Sequence, residues 1–154
     1  MEIIKQWQDG LLKRPTFRFP KVVVASGERV AHLGPRCDFA RVRLRFEPAD
    51  EFSVSLKGVV ISAEEAISDP ESSEFAQAAI LGALDELVMF SKHPTLNVHV
   101  ILEQMEIHSI DSNAHAFRLA GRDAAYKALI DSGLSPWNKY VQWSIAATSE
   151  ADRR

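Results

Sequence analysis

The sequence predicts an α+β fold, a two-layer α/β sandwich in which a mostly antiparallel sheet carries two helices on one face, in the order β-β-β-α-β-α. Phe39–Phe46, Phe52–Lys57 and Thr95–Gln104 alternate apolar and polar residues at a period of two. Each therefore has one core face and one wet face, as an antiparallel sheet open to water on one side requires. Two later stretches, ending near Phe90 and Ile130, repeat at 3.6 residues and read as helices.

Taken in chain order, Glu2–Leu12 has Ile3, Ile4, Trp7 and Leu11 at helical spacing, a short helix or packed arm. Pro15 to Pro20 is an extended lead-in to a strand at Lys21–Ala25 that Ser26-Gly27 closes, followed by a weaker strand at Glu28–Leu33 and a loop at His32–Asp38. In Phe39–Phe46 the inward set is Ala40, Val42, Leu44 and Phe46, and Arg41, Arg43 and Arg45 face out beside Phe39. Glu47-Pro48-Ala49-Asp50 turns the chain into Phe52–Lys57, with Phe52, Val54 and Leu56 inward, and the pair reads as an antiparallel hairpin extending toward Val59-Val60-Ile61. The acidic connection Ser62–Ser72, with a turn of helix at Ala63–Ile67, leads to a helix capped by Ser72 or Ser73 and stopped before Pro94. The third strand, Thr95–Gln104, points Leu96, Val98, Val100 and Leu102 inward, with His99 and Ile101 outward. The second helix, Asn113–Ile130, is capped by Asp111 or Ser112 and stopped at Asp131-Ser-Gly133, and a last strand is expected at Tyr140–Ala147.

A chain of 154 residues, 46% hydrophobic, suffices for one core. Eighteen Lys plus Arg against 21 Asp plus Glu leave a net charge of −3, so there is no global basic field and any RNA contact must be local. One cysteine, Cys37, excludes an internal disulfide framework and fits a reducing cytoplasm. No apolar run approaches the roughly 20 residues of a bilayer span, and Met1–Lys13 lacks the uninterrupted apolar segment of a signal peptide. Neither G-x-x-x-x-G-K-[ST] nor G-x-G-x-x-G occurs, so no nucleotide is expected.

Arg41, Arg43 and Arg45 lie about 7 Å apart along one face, close to the phosphate spacing of an RNA strand. The plainer alternative is a solvated stripe paired with Glu47, Glu103 or other acids across the sheet, with Lys57 and His99 on the same face. Phe39 and Ile101, also outward, could mark a patch covered by the C-terminal segment or a second subunit. His32, His93, His99, His108 and His115 fit no H-x-x-x-H pair and have no placed acidic third ligand, so no metal is expected. Ser112 near His108 or His115 lacks a G-x-S-x-G elbow, so no catalytic residue is expected. Cys37 beside Arg36 reads as an inert loop thiol. Trp137, Tyr140 and Trp143 with Lys139 either stack on bases or pack a last strand. His108, in a strand-to-helix loop, can donate from both ring nitrogens to RNA phosphate or ribose when charged or stack on a base when neutral, against the alternative of a solvated histidine without a role.

Pro94-Thr-Leu-Asn-Val-His-Val-Ile-Leu102, then His108-Ser-Ile-Asp-Ser-Asn113, then Ala116-Phe117 and Ala120 to Ala124, resemble domain IV of elongation factor G, whose pattern is G-y-P-v-x-d-V-x-V-x-L followed by H-x-V-D-S-S-x-x-x-A-F. Phe39-Ala-Arg-Val-Arg-Leu-Arg-Phe-Glu47-Pro48 is similar to that domain's y-a-x-V-x-i-x-x-E-P strand, and Pro20-Lys-Val22 to its opening strand. The sequence departs where the family's glycine-rich loop is Leu33-Gly34-Pro35-Arg36-Cys37-Asp38, where a glycine pair is reduced to Gly58, where Met105 replaces a glycine, and in a longer Ser62–Ser72 connection.

The resemblance implies an N-terminal arm at 1–19, a domain IV-like unit at 20–133 and a C-terminal extension at 134–154 that adds a strand. It also implies a split β-α-β fold with a left-handed crossover, shared with a ribosomal small-subunit protein, and a protrusion that in the elongation factor enters the decoding site. The tip would carry His108, Ser109, Asp111 and Arg36, with Arg41, Arg43 and Arg45 along the sheet. The implied function is a cytoplasmic, non-catalytic module that binds ribosome or structured RNA without a GTPase part or cofactor. The competing expectation is a scaffold whose partner is another protein chain or a second copy.

Overall fold

The computed structural model describes residues 2–3, 5–6, 17–57, 60–62, 69–89 and 95–134. In chain order its elements are β1 (Val23–Leu33), β2 (Arg36–Pro48), β3 (Ser53–Leu56), β4 (Val60–Ser62), α1 (Asp69–Met89), β5 (Val98–Ile107) and α2 (Ala114–Asp131). Glu2, Ile3, Lys5 and Gln6 are helical, in line with the expected N-terminal helix. The rest of that helix, the turn at Ala63–Ile67, the stop at Pro94 and the strand at Tyr140–Ala147 lie outside the described residues.

The α+β architecture is the expected one, with β4 as an additional short strand. The mixed sheet runs β1-β2-β5-β3, and β4 also lies on β5. β1, β2 and β5 pair antiparallel, while β3 and β4 run parallel to β5. The expected β2–β3 hairpin is therefore wrong: β5 inserts between the two strands, and Ser53–Leu56 pairs with 99–102. Alternation identifies which face of a strand is apolar but not which strand lies beside it. Leu56, expected inward, is exposed on this short edge strand, whereas Phe52 is buried and Val54 packs against the core.

β1 is one continuous strand. Ser26-Gly27 does not close it, because Gly27 pairs with Val42 in the middle of the ladder. A Cβ on Gly27 would sit 2.0 Å from the Ala120 carbonyl oxygen and 2.5 Å from the Ala124 nitrogen, so the glycine marks where α2 crosses the strand. At this crossing the Glu28 amide donates to Asp123 Oδ2 (3.0 Å) and Lys127 Nζ donates to the Ser26 carbonyl (3.2 Å), which caps part of the open edge of β1. The expected loop at His32–Asp38 is likewise mostly strand. Only Gly34-Pro35 turns, with Gly34 at φ +64° as the first central position of a type II′ hairpin turn requires.

The helix pair obeys the same close-contact rule. A Cβ on Gly82 would lie 1.9 Å from the Arg118 carbonyl oxygen, and one on Gly121 the same distance from the Ala79 oxygen. α1 begins at Asp69, three residues before Ser72, because Pro70 stands in the first turn, where its missing N–H is not needed. α2 ends as expected, with Gly133 at φ +76° and its amide bonded to the Ile130 carbonyl. Its N-cap, however, is Asn113, whose side chain accepts from the Ala116 amide (2.8 Å).

Phe19, Phe46 and Phe117 are fully buried, each worth roughly 1.5–3 kcal/mol. The Phe19 and Phe46 rings stack at 5.5 Å, and those of Phe75 and Phe117 at 4.9 Å. β5 changes its inward register partway. Leu44 pairs with Leu102 but Arg43 pairs with Gln104, so Glu103 is an extra residue, a β-bulge. Val98, Val100 and Leu102 face the core before it, and Met105 and Ile107 after it.

Between the helices Arg118 makes a two-point pair with Asp85 (2.8 and 3.1 Å), and Arg122 Nε donates to Glu86 Oε1 (3.0 Å). Glu86 Oε2 is buried with no hydrogen-bond partner. Burial pushes the Glu86 carboxyl above its ordinary value, opposed by the hydrogen bond and charge of Arg122.

Gly27→Ala lowers stability by about 1–3 kcal/mol or more through overlap with α2, read as a fall in urea midpoint. In Gly34→Ala the added Cβ meets open space and carries only the left-handed strain, about 1–2 kcal/mol. Because the folded-state value of Glu86 is raised, its contribution to stability is fully present below the ordinary carboxylate value of 4.5 and is lost as pH rises through the folded value. Urea titrations across this range should show Glu86→Gln gaining on the wild type as pH rises.

Candidate nucleic-acid interface

The hairpin of β1 and β2 runs past the end of β5, whose last partner on β2 is the Glu106 to Arg41 pair. The residues after β5, His108 to Asn113, fold against the base of this arm. The Phe39 amide donates to the Asp111 carbonyl (3.0 Å), and the Ser112 hydroxyl donates to the Phe39 carbonyl (2.7 Å). The same hydroxyl accepts from the His108 amide (2.8 Å), and the Ser112 amide closes the turn on the His108 carbonyl (3.1 Å). Asn113 Nδ2 donates to the buried Asp38 carboxylate (2.9 Å), which also lies 3.8 Å from Arg29 Nε. Neither Asp111 nor Ser112 is the helix cap: the serine ties the loop to β2, and the Asp111 carboxylate faces His108.

The His108 ring packs on Phe39 (5.5 Å between centroids, 54° between planes), and the Arg41 guanidinium lies 5.2 Å from the Phe39 ring centre. His108 Nδ1 is buried, has no hydrogen-bond partner and lies 3.6 Å from Asp111 Oδ2, while its side chain as a whole is 38% exposed. Ser109 and Ile110 are exposed at the apex of the loop. Sequence reasoning missed Ile110 and the platform role of Phe39. An isoleucine among polar turn residues was the available signal for the first. Of the expected tip residues, the structure gathers His108, Ser109 and Asp111 into one loop. The Arg36 backbone pairs with Leu33 beside the arm's turn, and its side chain lies outside the described residues. His32 Nδ1 and Cys37 Sγ meet across the arm at 3.1 Å.

The arginine face is a lattice of ion pairs, the plainer of the two readings. Arg41 Nε reaches Glu28 (3.2 Å) and its Nη1 reaches Glu106 (3.4 Å). Glu103 lies near Arg43 (3.3 Å), Arg45 (3.6 Å) and Lys57 (3.8 Å), and Arg45 also holds Glu47 (2.8 Å). Glu28, by its hydrogen bond, and then Glu106, by its charge, raise the Arg41 guanidinium further into its charged range. His99 joins the face, its Nε2 2.7 Å from the Ser55 hydroxyl and its Nδ1 3.8 Å from Glu47. Ile101 lies across from Arg45 on the outward side, as expected, yet it is buried. Among the described residues there is no group of three metal-ligating side chains and no helix long and apolar enough to cross a membrane. His93 and the aromatic group at Trp137, Tyr140 and Trp143 lie outside the described residues.

A two-layer α+β module with a projecting hairpin arm and a histidine loop tied to its base is the class of protein this geometry defines. The family model of elongation factor G, domain IV matches residues 19–133. The chain belongs to that family. No curated protein matches the chain. A crystal structure of a Thermus thermophilus protein is similar in fold at 22% identity and a TM-score of 0.58, with the match covering 79% of this chain and 18% of that one. The chain thus corresponds to a small part of that larger protein.

One substitution tests the loop's construction. Ser112→Ala removes both hydroxyl bonds and should cost about 1–3 kcal/mol. It should also raise the exchange rate of the His108 amide more than that of core amides in β2, as read by hydrogen exchange.

Proposed function

We propose that the chain is a non-catalytic, cytoplasmic module of translation that contacts the ribosome or another structured RNA through its tip. The observation that carries this is the His108–Ser112 loop, fixed to β2 by Phe39 and Ser112 and presenting His108, Ser109 and Ile110 at the end of the sheet from which the arm projects. Structured RNA is recognised largely through shape, stacking and contacts to phosphate and ribose, for which an exposed imidazole, an apolar apex and a nearby arginine are suited. Membership in a domain family of a ribosomal elongation factor supports the same partner. Arg41, Arg43 and Arg45, each held by glutamates, contribute less than the tip does. With a net charge of −3 the chain has no second, diffuse route to RNA. The module acts without bound nucleotide or cofactor.

Co-sedimentation with purified ribosomes at low salt is the test. Wild type should pellet with ribosomes, with binding weakening as salt rises. His108→Ala should reduce the bound fraction several-fold, and Arg43→Ala less than twofold. Wild type remaining in the supernatant would overturn the ribosomal reading and favour a protein-interaction scaffold.

A further inference from the structure

Resting on that reading of the tip, we propose that Asp111 is a positioning residue that holds His108 with its proton on Nδ1, so that Nε2 meets an RNA phosphate oxygen only after the ring takes up a second proton. His108 Nδ1 is shut off from solvent, has no hydrogen-bond partner and faces the Asp111 carboxylate at 3.6 Å. A lone pair on Nδ1 would be repelled by that carboxylate, and a proton there is attracted to it, so the neutral ring carries its hydrogen on Nδ1. Packing of the ring on Phe39 opposes its swinging out to reverse this.

The exposure of the ring therefore falls on atoms other than Nδ1. In the neutral form Nε2 is an acceptor, which repels a phosphate oxygen that brings no hydrogen of its own. Contact with phosphate requires Nε2–H and hence an imidazolium. Asp111 then lies behind the positive ring and compensates its charge. The other charged groups near the site are already engaged. Arg41 on β2 is held by Glu28 and Glu106, Asp38 at the base of the arm by Asn113 and Arg29, and α2 contributes the neutral Asn113 and the solvent-exposed His115 in its first turn. RNA binding is thereby coupled to uptake of one proton at one side chain.

Nitrogen-15 NMR of the free protein above the titration range, together with ribosome co-sedimentation from pH 6 to 8 at fixed low ionic strength, tests this. The wild type should show the Nδ1–H form. Asp111→Asn, which keeps an acceptor, should retain it, and Asp111→Ala should lose it. Wild-type ribosome affinity should fall as pH rises from 6 to 8, and His108→Gln should remove that dependence. An Nε2–H form in the free wild type, or a pH dependence that survives His108→Gln, would overturn the inference. Should wild type fail to sediment at every pH, the ribosomal reading falls by itself. A titration with inorganic phosphate then decides this one: an Nε2 shift at pH 6 and not at pH 8 supports it, and any other pattern sinks it.

Discussion

Backbone packed against backbone is the constraint on which the rest of this structure depends. At Gly27, Gly82 and Gly121 the chain gives up side chains so that α2 can lie directly on β1 and α1. The buried positions of α2 are mostly alanine, Ala116, Ala120, Ala124, Ala125 and Ala128, with Phe117 and Leu129 the larger exceptions. Because α2 sits so low on the sheet, its polar side chains reach neighbouring strands. Asp123 and Lys127 touch the edge of β1, and Asn113 spans from the helix start to Asp38. On the other side of the helix, Arg118 and Arg122 meet Asp85 and Glu86 of α1. The tip loop depends on the same closeness, since it is the segment that joins β5 to this helix.

Electrostatics divides the molecule into a neutralised face and an unfinished tip. On the sheet, Glu103 at the bulge gathers Arg43, Arg45 and Lys57, so cations that look like a phosphate ladder in the sequence are largely satisfied from within. At the tip, the Nδ1 nitrogen of His108 lacks a hydrogen bond and Ile110 lacks cover. An unsatisfied buried group is costly, and His108 Nδ1 shares that condition with Glu86 Oε2 in the helix seam and Arg29 Nε on β1.

Much of this could be read in the sequence. Strict alternation in Phe39–Phe46 placed the arginines outward, and the 3.6-residue pattern located both helices, because those periods record burial directly. Neighbour relations were beyond the sequence: nothing local states that β5 lies between β2 and β3. The start of α1 was obscured by Pro70, whose effect depends on whether it stands in the first turn or the interior of a helix. His108 stood out through its motif, whereas Ser112 resembled a helix cap and proved to be the tie between loop and strand. That role requires knowing that Phe39 lies across from it, a contact separated by 73 positions in the chain.

Glu103 has an effect beyond collecting arginines. In an unbroken strand, positions of the same parity as Val98, Val100 and Leu102 would keep facing the helices, and His108 has that parity. The single inserted residue exchanges odd for even, so that Ile107 takes the inward place and His108 emerges on the side of Phe39 and Arg41. One residue of chain length thus decides whether the histidine belongs to the interior or to the surface. Gaining or losing a residue between Leu102 and Met105 would turn His108 toward the interior without changing any residue of the tip itself.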